Sequence, residues 1–215
     1  MNSIKRNTVM TMGTAALFAM GIAQADNSAA LRTESNRLEL NAALSGQIQA
    51  GTRIVHDYTG FAGSRVNASN LVIGLRRGTP IALTAAPGNG QDAAPISFTP
   101  PIRALGTSAV YISLALAKQQ LENLGISQPT PEQIKAALIG GTVSSGGAVT
   151  RTATLPGVLP LRSQGMSWAA IAKSQGVRLG AVVNGMQGAN HDLVALHLHY
   201  VGVESALQMP AGNGL

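Results

Sequence analysis

Three of the chain's four histidines stand near its C-terminal end. In "HDLVALHLHY", residues 191–200, His191, His197 and His199 accompany Asp192. Imidazole nitrogens and carboxylate oxygens are donors that divalent transition metals accept. Side chains on a strand repeat every two residues, so a strand would put His197 and His199 on one face. With His191 or Asp192 they would then offer a divalent metal three donors. On a helix, Leu193, Leu196, Tyr200, Val203 and Leu207 line up as an apolar stripe and the two histidines diverge. Both readings stand at this level, and 191–215 is an unassigned C-terminal segment.

The other candidate chemistries lack parts. "GGTVSSGG" has the glycines of a phosphate loop but no Lys-Ser/Thr to grip phosphate and Mg²⁺. A serine hydrolase would need a nucleophile on a sharp elbow such as G-x-S-x-G, and none is present. His56 and Asp57 are adjacent, which points their side chains apart on a strand. There is no cysteine, and the nine carboxylates offer no close pair for acid–base work. The reading is a protein without catalytic residues or cofactor. Arg76-Arg77 could touch an anionic partner, but they end a helical pattern, where their charge complements the helix dipole, and that is the favoured reading.

"SWAAIAKSQGVRLGAVV", residues 167–183, is shaped like a helix-turn-helix. Ala172 and Gly176 are spaced for a sharp turn, and Val177 and Val182 would fill the angle. A DNA reader needs polar side chains at the exposed start of its second helix and positive charge around it. That surface would be Arg178, Leu179, Gly180, Val183 and Asn184, with Lys173 close by. Lys173, Arg178 and Asn184 are therefore the candidate nucleic-acid contacts. Two polar groups in five and a helix-weakening glycine make a poor reading head. A structural helical hairpin is the favoured reading, and no nucleic-acid partner is expected.

The elements that would position these residues are mostly helical. Leu40, Leu44 and Ile48 recur in four-residue steps from Asn36, with Gly51 as a stop. "TRIVHDYTGFAG" carries no assignment. Ser64 precedes Ala68, Leu71, Val72 and Leu75, and Gly78 stands at a helix stop. "TPIALT" and "PISFTP" are short β-type runs around a turn-rich loop, so a hairpin is expected near 79–100. Val110, Leu114, Ala117, Leu121 and Leu124 mark one face of a long helix, capped by Thr107 or Ser108 and stopped at Gly125. Thr130, Pro131 and Gln133 form a capping box with proline in the first turn. "TVSSGGAVTRTATL" reads as a loop or a second small hairpin. "GVLPLRSQG" is a short helical piece. "SWAAIAKSQG" and "RLGAVVNG" are the fifth and sixth helices, the latter about two turns long. Trp168, Ile171 and Ala172 share a face, which predicts a buried Trp168 packed on the helix of 108–124. The fold class is mainly α (α+β), with about six short helices, a small hairpin and a C-terminal helix-turn-helix-like pair.

The first 25 residues follow secretory logic. Lys5 and Arg6 are a basic start, residues 9–22 an apolar run, and Ala23-Gln24-Ala25 a small-x-small cleavage pattern. Cleavage after Ala25 is expected, with the protein periplasmic or secreted. The run is shorter than the roughly 20 residues of a membrane span, and no later segment is apolar enough to be one. The remaining 190 residues would carry 13 basic and 9 acidic residues, net +4. A flexible tail is expected over 26–35, then an N-terminal region over 36–101 and a helical region over 102–190. Without cysteines, the core alone must hold an exported chain together. The basic balance could favour anionic partners such as nucleic acid, lipopolysaccharide or a membrane surface. It is modest and spread along the chain, so a soluble basic surface is the favoured reading. The partner is unassigned, with an anionic surface or another protein as candidates.

"GSRVNASNLVIGLRRGTPIALT", "PTPEQIKAALIGGTVSSGG" and "GVLPLRSQGMSWAAIAKSQGVRLGAVV" together resemble a group of uncharacterised small exported proteins of Gram-negative bacteria. The likeness covers roughly residues 60–185 and leaves out the C-terminal histidines. It implies export and a shared fold. It implies no activity.

Overall fold

A computed structural model describes residues 15–85, 95–145 and 151–207, with side chains from residue 27 onward except 151 and 200–207. It is 68% helix, with eight helices and two small antiparallel sheets among the described residues. The helices are α1 (Ala15–Ser45), α2 (Gln47–Ala62), α3 (Arg65–Arg77), α4 (Thr107–Asn123), α5 (Pro131–Ile139), α6 (Val158–Ser163), α7 (Trp168–Ser174) and α8 (Leu179–Leu207). Strand β1 (Ile81–Leu83) pairs with β2 (Ile96–Phe98), and β3 (Gly141–Ser145) with β4 (Arg151–Leu155). The turn expected between β1 and β2 lies largely outside the described residues. No helix among those described is long and apolar enough to cross a membrane.

The centre is α4. Its run from Val110 to Ala117 is apolar nearly all round, as a helix enclosed on every side must be. It packs against α1, α2, α3, α5, α6 and α8, so elements on both sides of residue 101 share one core. The α4 N-terminus is capped from another helix. Glu39 Oε1 on α1 accepts from the Ser108 backbone N–H and from its hydroxyl, both at 2.8 Å. A carboxylate there satisfies an orphan donor and meets the positive end of the helix dipole. At the other end the Ile126 N–H reaches Leu121 O and the Gly125 N–H reaches Glu122 O. That is the Schellman pattern, with Gly125 at φ 79°.

Three local caps behave as their residues dictate, but the cap expected from Thr107 or Ser108 does not form: both lie inside α4, and Gly106 precedes it without a side-chain bond. Ser64 Oγ accepts from the Asn67 N–H, Ser167 Oγ from Ala170, and Thr130 with Gln133 completes the capping box of α5. Buried Asn67 ties β1 to the α2–α3 turn, donating to Ala62 O and Thr84 O and accepting from the Thr84 N–H. Gly74 lets β1 lie against α3, since a Cβ there would clash with Ile81 Cγ1.

Several sequence expectations need correction. Residues 26–35 are helix, not a loose tail, with Leu31 and Glu34 buried against the body. The stripe of Leu40, Leu44 and Ile48 faces solvent, and the core face of α1 is Leu31, Glu34, Leu38 and Ala42. Its break comes at Gly46, and "TRIVHDYTGFAG" belongs to α2. The sixth helix is not two turns but 29 residues, passing through Gly180, Gly185 and Gly188. Trp168 is half-buried, with the Arg162 guanidinium 4.7 Å from its ring centre. It packs at the α6–α7 edge rather than pinning α7 to α4. Ile171 and Ala172 supply the buried face instead.

The longest-range pairing is α1 with α8, running side by side in parallel. Asn27 lies beside Gly180, and Glu34 and Asn41 both meet Asn190. Asn190 donates to Glu34 O at 3.0 Å and to Glu34 Oε2 at 2.8 Å, and accepts from Asn41 at 3.0 Å. Arg53 on α2 bridges Asp57 on its own helix and Asp192 on α8, locking the two together.

Candidate functional site

The histidine question is settled by α8. At 100° per residue, a two-residue step between His197 and His199 turns their side chains to nearly opposite sides. His191 is exposed beside Asp192, its Nδ1 3.4 Å from the carboxylate. His191, His197 and His199 do not converge, and no group of three His, Cys, Asp or Glu suited to a metal occurs among the described residues. The strand on which the metal site depended is absent.

Lys173, Arg178 and Asn184 do come together. All three are exposed around a shallow cavity of about 570 Å³, shared with Asn27, between the α7–α8 turn and α1. The turn at Gly176 and the buried Val177 and Val182 form as the spacing indicates. The reading surface does not. Val183 is buried, and α1 runs alongside the first turns of α8, so this helix is a packed element rather than a projecting one.

A third cluster lies where α2, α4 and α8 meet. Asp57, Tyr58, Tyr111, Lys118 and Gly185 line a cavity of about 150 Å³. The Tyr58 hydroxyl donates to Tyr111 O at 3.1 Å, and the rings meet edge to face at 5.3 Å. Burial pushes the Tyr111 hydroxyl up to about 12, and Tyr58 is raised well above its ordinary value for the same reason. Both therefore keep their protons at neutral pH. Asp57 is held by Arg53 at 2.8 and 3.1 Å. The cluster is a packed polar joint between the three helices.

A further groove, of about 460 Å³, lies between α2 and α3. Its floor is the buried Val55 and Val72, its apolar rims are Ile48 and Ile73, and Gly51, Thr52 and Ser69 lie between. Arg65, Arg76 and Arg77 line it. These positions share faces because 48, 52 and 55 on α2, and 65, 69, 72, 73 and 76 on α3, fall at three- and four-residue steps. Arg76 is fixed, donating to the backbone oxygen and side-chain Oε1 of Gln47. Gln47 Oε1 also accepts from Thr107 at 3.1 Å, tying the groove to the start of α4. Among the described residues Arg65 and Arg77 make no ion pair. No Asp or Glu occurs between Asp57 and Asp92, so α3 contributes three cations and no anion.

The chain matches no protein-family model, no curated protein and no solved structure. The chemistry must therefore be read from the groove itself. Three guanidinium groups with an apolar floor can hold a negatively charged head by charge-assisted, bidentate hydrogen bonds, while an apolar body covers the valines. Sequence reasoning took Arg76-Arg77 as dipole partners of α3 and left α2 unassigned, so the groove's second wall was missing. The signal that could have found it is the acid-free interval carrying three arginines.

Proposed function

We propose that this chain is an exported, non-enzymatic binding protein whose site is the α2–α3 groove, and that its ligand is an anionic molecule with an apolar body. The observation that carries the reading is that Arg65, Arg76 and Arg77 line one groove with Val55 and Val72, with no carboxylate in the lining. Most arginines on a protein surface find an acidic neighbour or open water. Here the Gln47 contacts hold one guanidinium in place in advance, which lowers the ordering cost of binding. Export is supported by the basic, apolar and small-x-small succession of residues 1–25. A binding role is supported by the lining: Thr52 and Ser69 supply hydroxyls, and no His, Asp or Glu lines the groove with them.

Calorimetric titration with octyl phosphate, kept below its micelle concentration, tests this. One saturable site is expected for the wild type, and octyl glucoside, neutral and of equal chain length, should give no heat. Each of Arg65→Gln and Arg77→Gln should weaken binding by about tenfold or more, the worth of a hydrogen bond to a charged group. Equal binding of the two amphiphiles, or no change in the variants, overturns the proposal.

A further inference from the structure

We infer that the source of the anionic amphiphile is a lipid bilayer: the α1–α3 face docks on an anionic membrane surface, with Ile48 and Ile73 among the acyl chains and Arg65 and Arg77 on lipid phosphates. This rests on the groove being an anionic-amphiphile site and goes beyond it by naming the occupant. Among the described residues eight large apolar side chains are exposed, and five belong to this part of the molecule: Leu40, Leu44, Ile48, Val66 and Ile73. Ile48 is 81% exposed and Val66 66%. They follow helical faces. Val66, Ser69, Ile73 and Arg77 lie along one side of α3, and Leu40 and Leu44 occupy the last turns of α1 before α2 begins with Ile48 nearby. A small free ligand would cover the groove and leave Val66, on the Ile73 side of α3, in water, whereas a bilayer covers both.

Charge complementarity selects an anionic surface. Arg65 and Arg77 are exposed at the two ends of α3, where long stems can lie along the apolar rim while the guanidinium groups reach the headgroup level. The described carboxylates of α1 do not oppose this. Glu34 is buried on Asn190, and Glu39 is engaged by Ser108. Together with the acid-free stretch after Asp57, the face presents cations and apolar side chains without repulsion.

The absence of cysteine makes the test direct. In the full chain, Ile48→Cys is labelled with an environment-sensitive fluorophore, and Glu132→Cys on α5 is labelled as a remote control. Residues 1–25 are common to every sample, so a membrane affinity of theirs alone would leave the response at 48 unchanged when Arg65 and Arg77 are replaced. With vesicles of equal phosphatidylglycerol and phosphatidylcholine, the label at 48 should brighten and shift to the blue, the label at 132 should not, and the response should weaken as salt rises. Arg65→Gln with Arg77→Gln should reduce partitioning by about 30-fold, about fivefold per basic residue. Both arginines are exposed, so melting temperatures should stay close to that of the wild type, which checks folding. Binding without a shift at 48, or equal response to pure phosphatidylcholine, overturns the inference. A shift at 48 with octyl phosphate but not with vesicles overturns it too, while leaving the groove as an anionic-amphiphile site. No response to either probe overturns both.

Discussion

Asn190→Ala should be among the most damaging single substitutions outside the apolar core. Asn190 is 5% exposed and sits between α1 and α8, elements separated by most of the chain. Alanine removes donation to Glu34 O at 3.0 Å and to Glu34 Oε2 at 2.8 Å, and acceptance from Asn41 at 3.0 Å. The Glu34 side chain, 5% exposed, would be left with Arg37 at 3.2 Å, and Arg37 itself is 64% exposed. An exposed partner does little for a buried charge. Leaving a buried polar group unpaired costs about 1–3 kcal/mol, and more when it is charged, so about 3–4 kcal/mol is expected in all. That is a large share of a typical domain's stability of about 5–15 kcal/mol. Urea unfolding followed by far-ultraviolet circular dichroism measures it. Replacing both polar partners, Glu34→Leu with Asn190→Leu, should recover much of the loss, because no buried charge is then stranded. A loss within about 0.5 kcal/mol for Asn190→Ala, the range of an ordinary surface change, would refute the reasoning. So would a double variant that loses the sum of its singles.

Gly185→Ala should lower the melting temperature, because its Cβ would lie 2.7 Å from the Tyr111 hydroxyl in a packed joint; overpacking of this kind costs about 1–3 kcal/mol, and Tyr111→Phe in the same chain should relieve part of it. Tyr58 and Tyr111 hold their protons more tightly folded than unfolded, so their contribution to stability is complete below pH 10 and is lost as pH rises toward 12. Absorbance at 295 nm should show the native chain lagging the urea-unfolded chain by two of its three tyrosinates near pH 11, and equal titration would contradict their burial. Trp168→Ala should cost about 1–2 kcal/mol rather than the roughly 3–5 of a fully buried ring, and Arg162→Ala should shift the single tryptophan's emission to the red.

What the sequence disclosed was local. Ser64, Ser167 and the Thr130–Gln133 box act within one turn of their own helix, and each cap is where its residues place it. The second hairpin was legible in the β-branched residues around "SSGGAV". The face of α1 was not, because its buried side includes Glu34, whose carboxylate is matched by an asparagine more than 150 residues away. Leu40, Leu44 and Ile48 then looked like the only apolar stripe. The length of α8 was hidden for a related reason. Gly180 read as a weak point and Gly185 and Gly188 as the helix's end, yet Gly185 is a close-approach position for Tyr111 and Gly180 lies beside Asn27. Tertiary contact outweighs the weak helix propensity of glycine. The arginine groove needs α2 as its second wall, and α2 carries no strong cap: Gly46 precedes it without a side-chain bond.

The central claim concerns where an anionic amphiphile sits, and arginine side chains can report it directly. Two-dimensional ¹⁵N NMR of the Nε–Hε groups during titration with octyl phosphate is the measurement. The resonances of Arg65, Arg76 and Arg77, with the backbone amides of Ile48, Thr52 and Val55, should move together and saturate, while those of Arg103, Arg162 and Arg178 stay in place. Movement centred on Arg178, Lys173 and Asn184, or no saturable movement at all, would contradict the account.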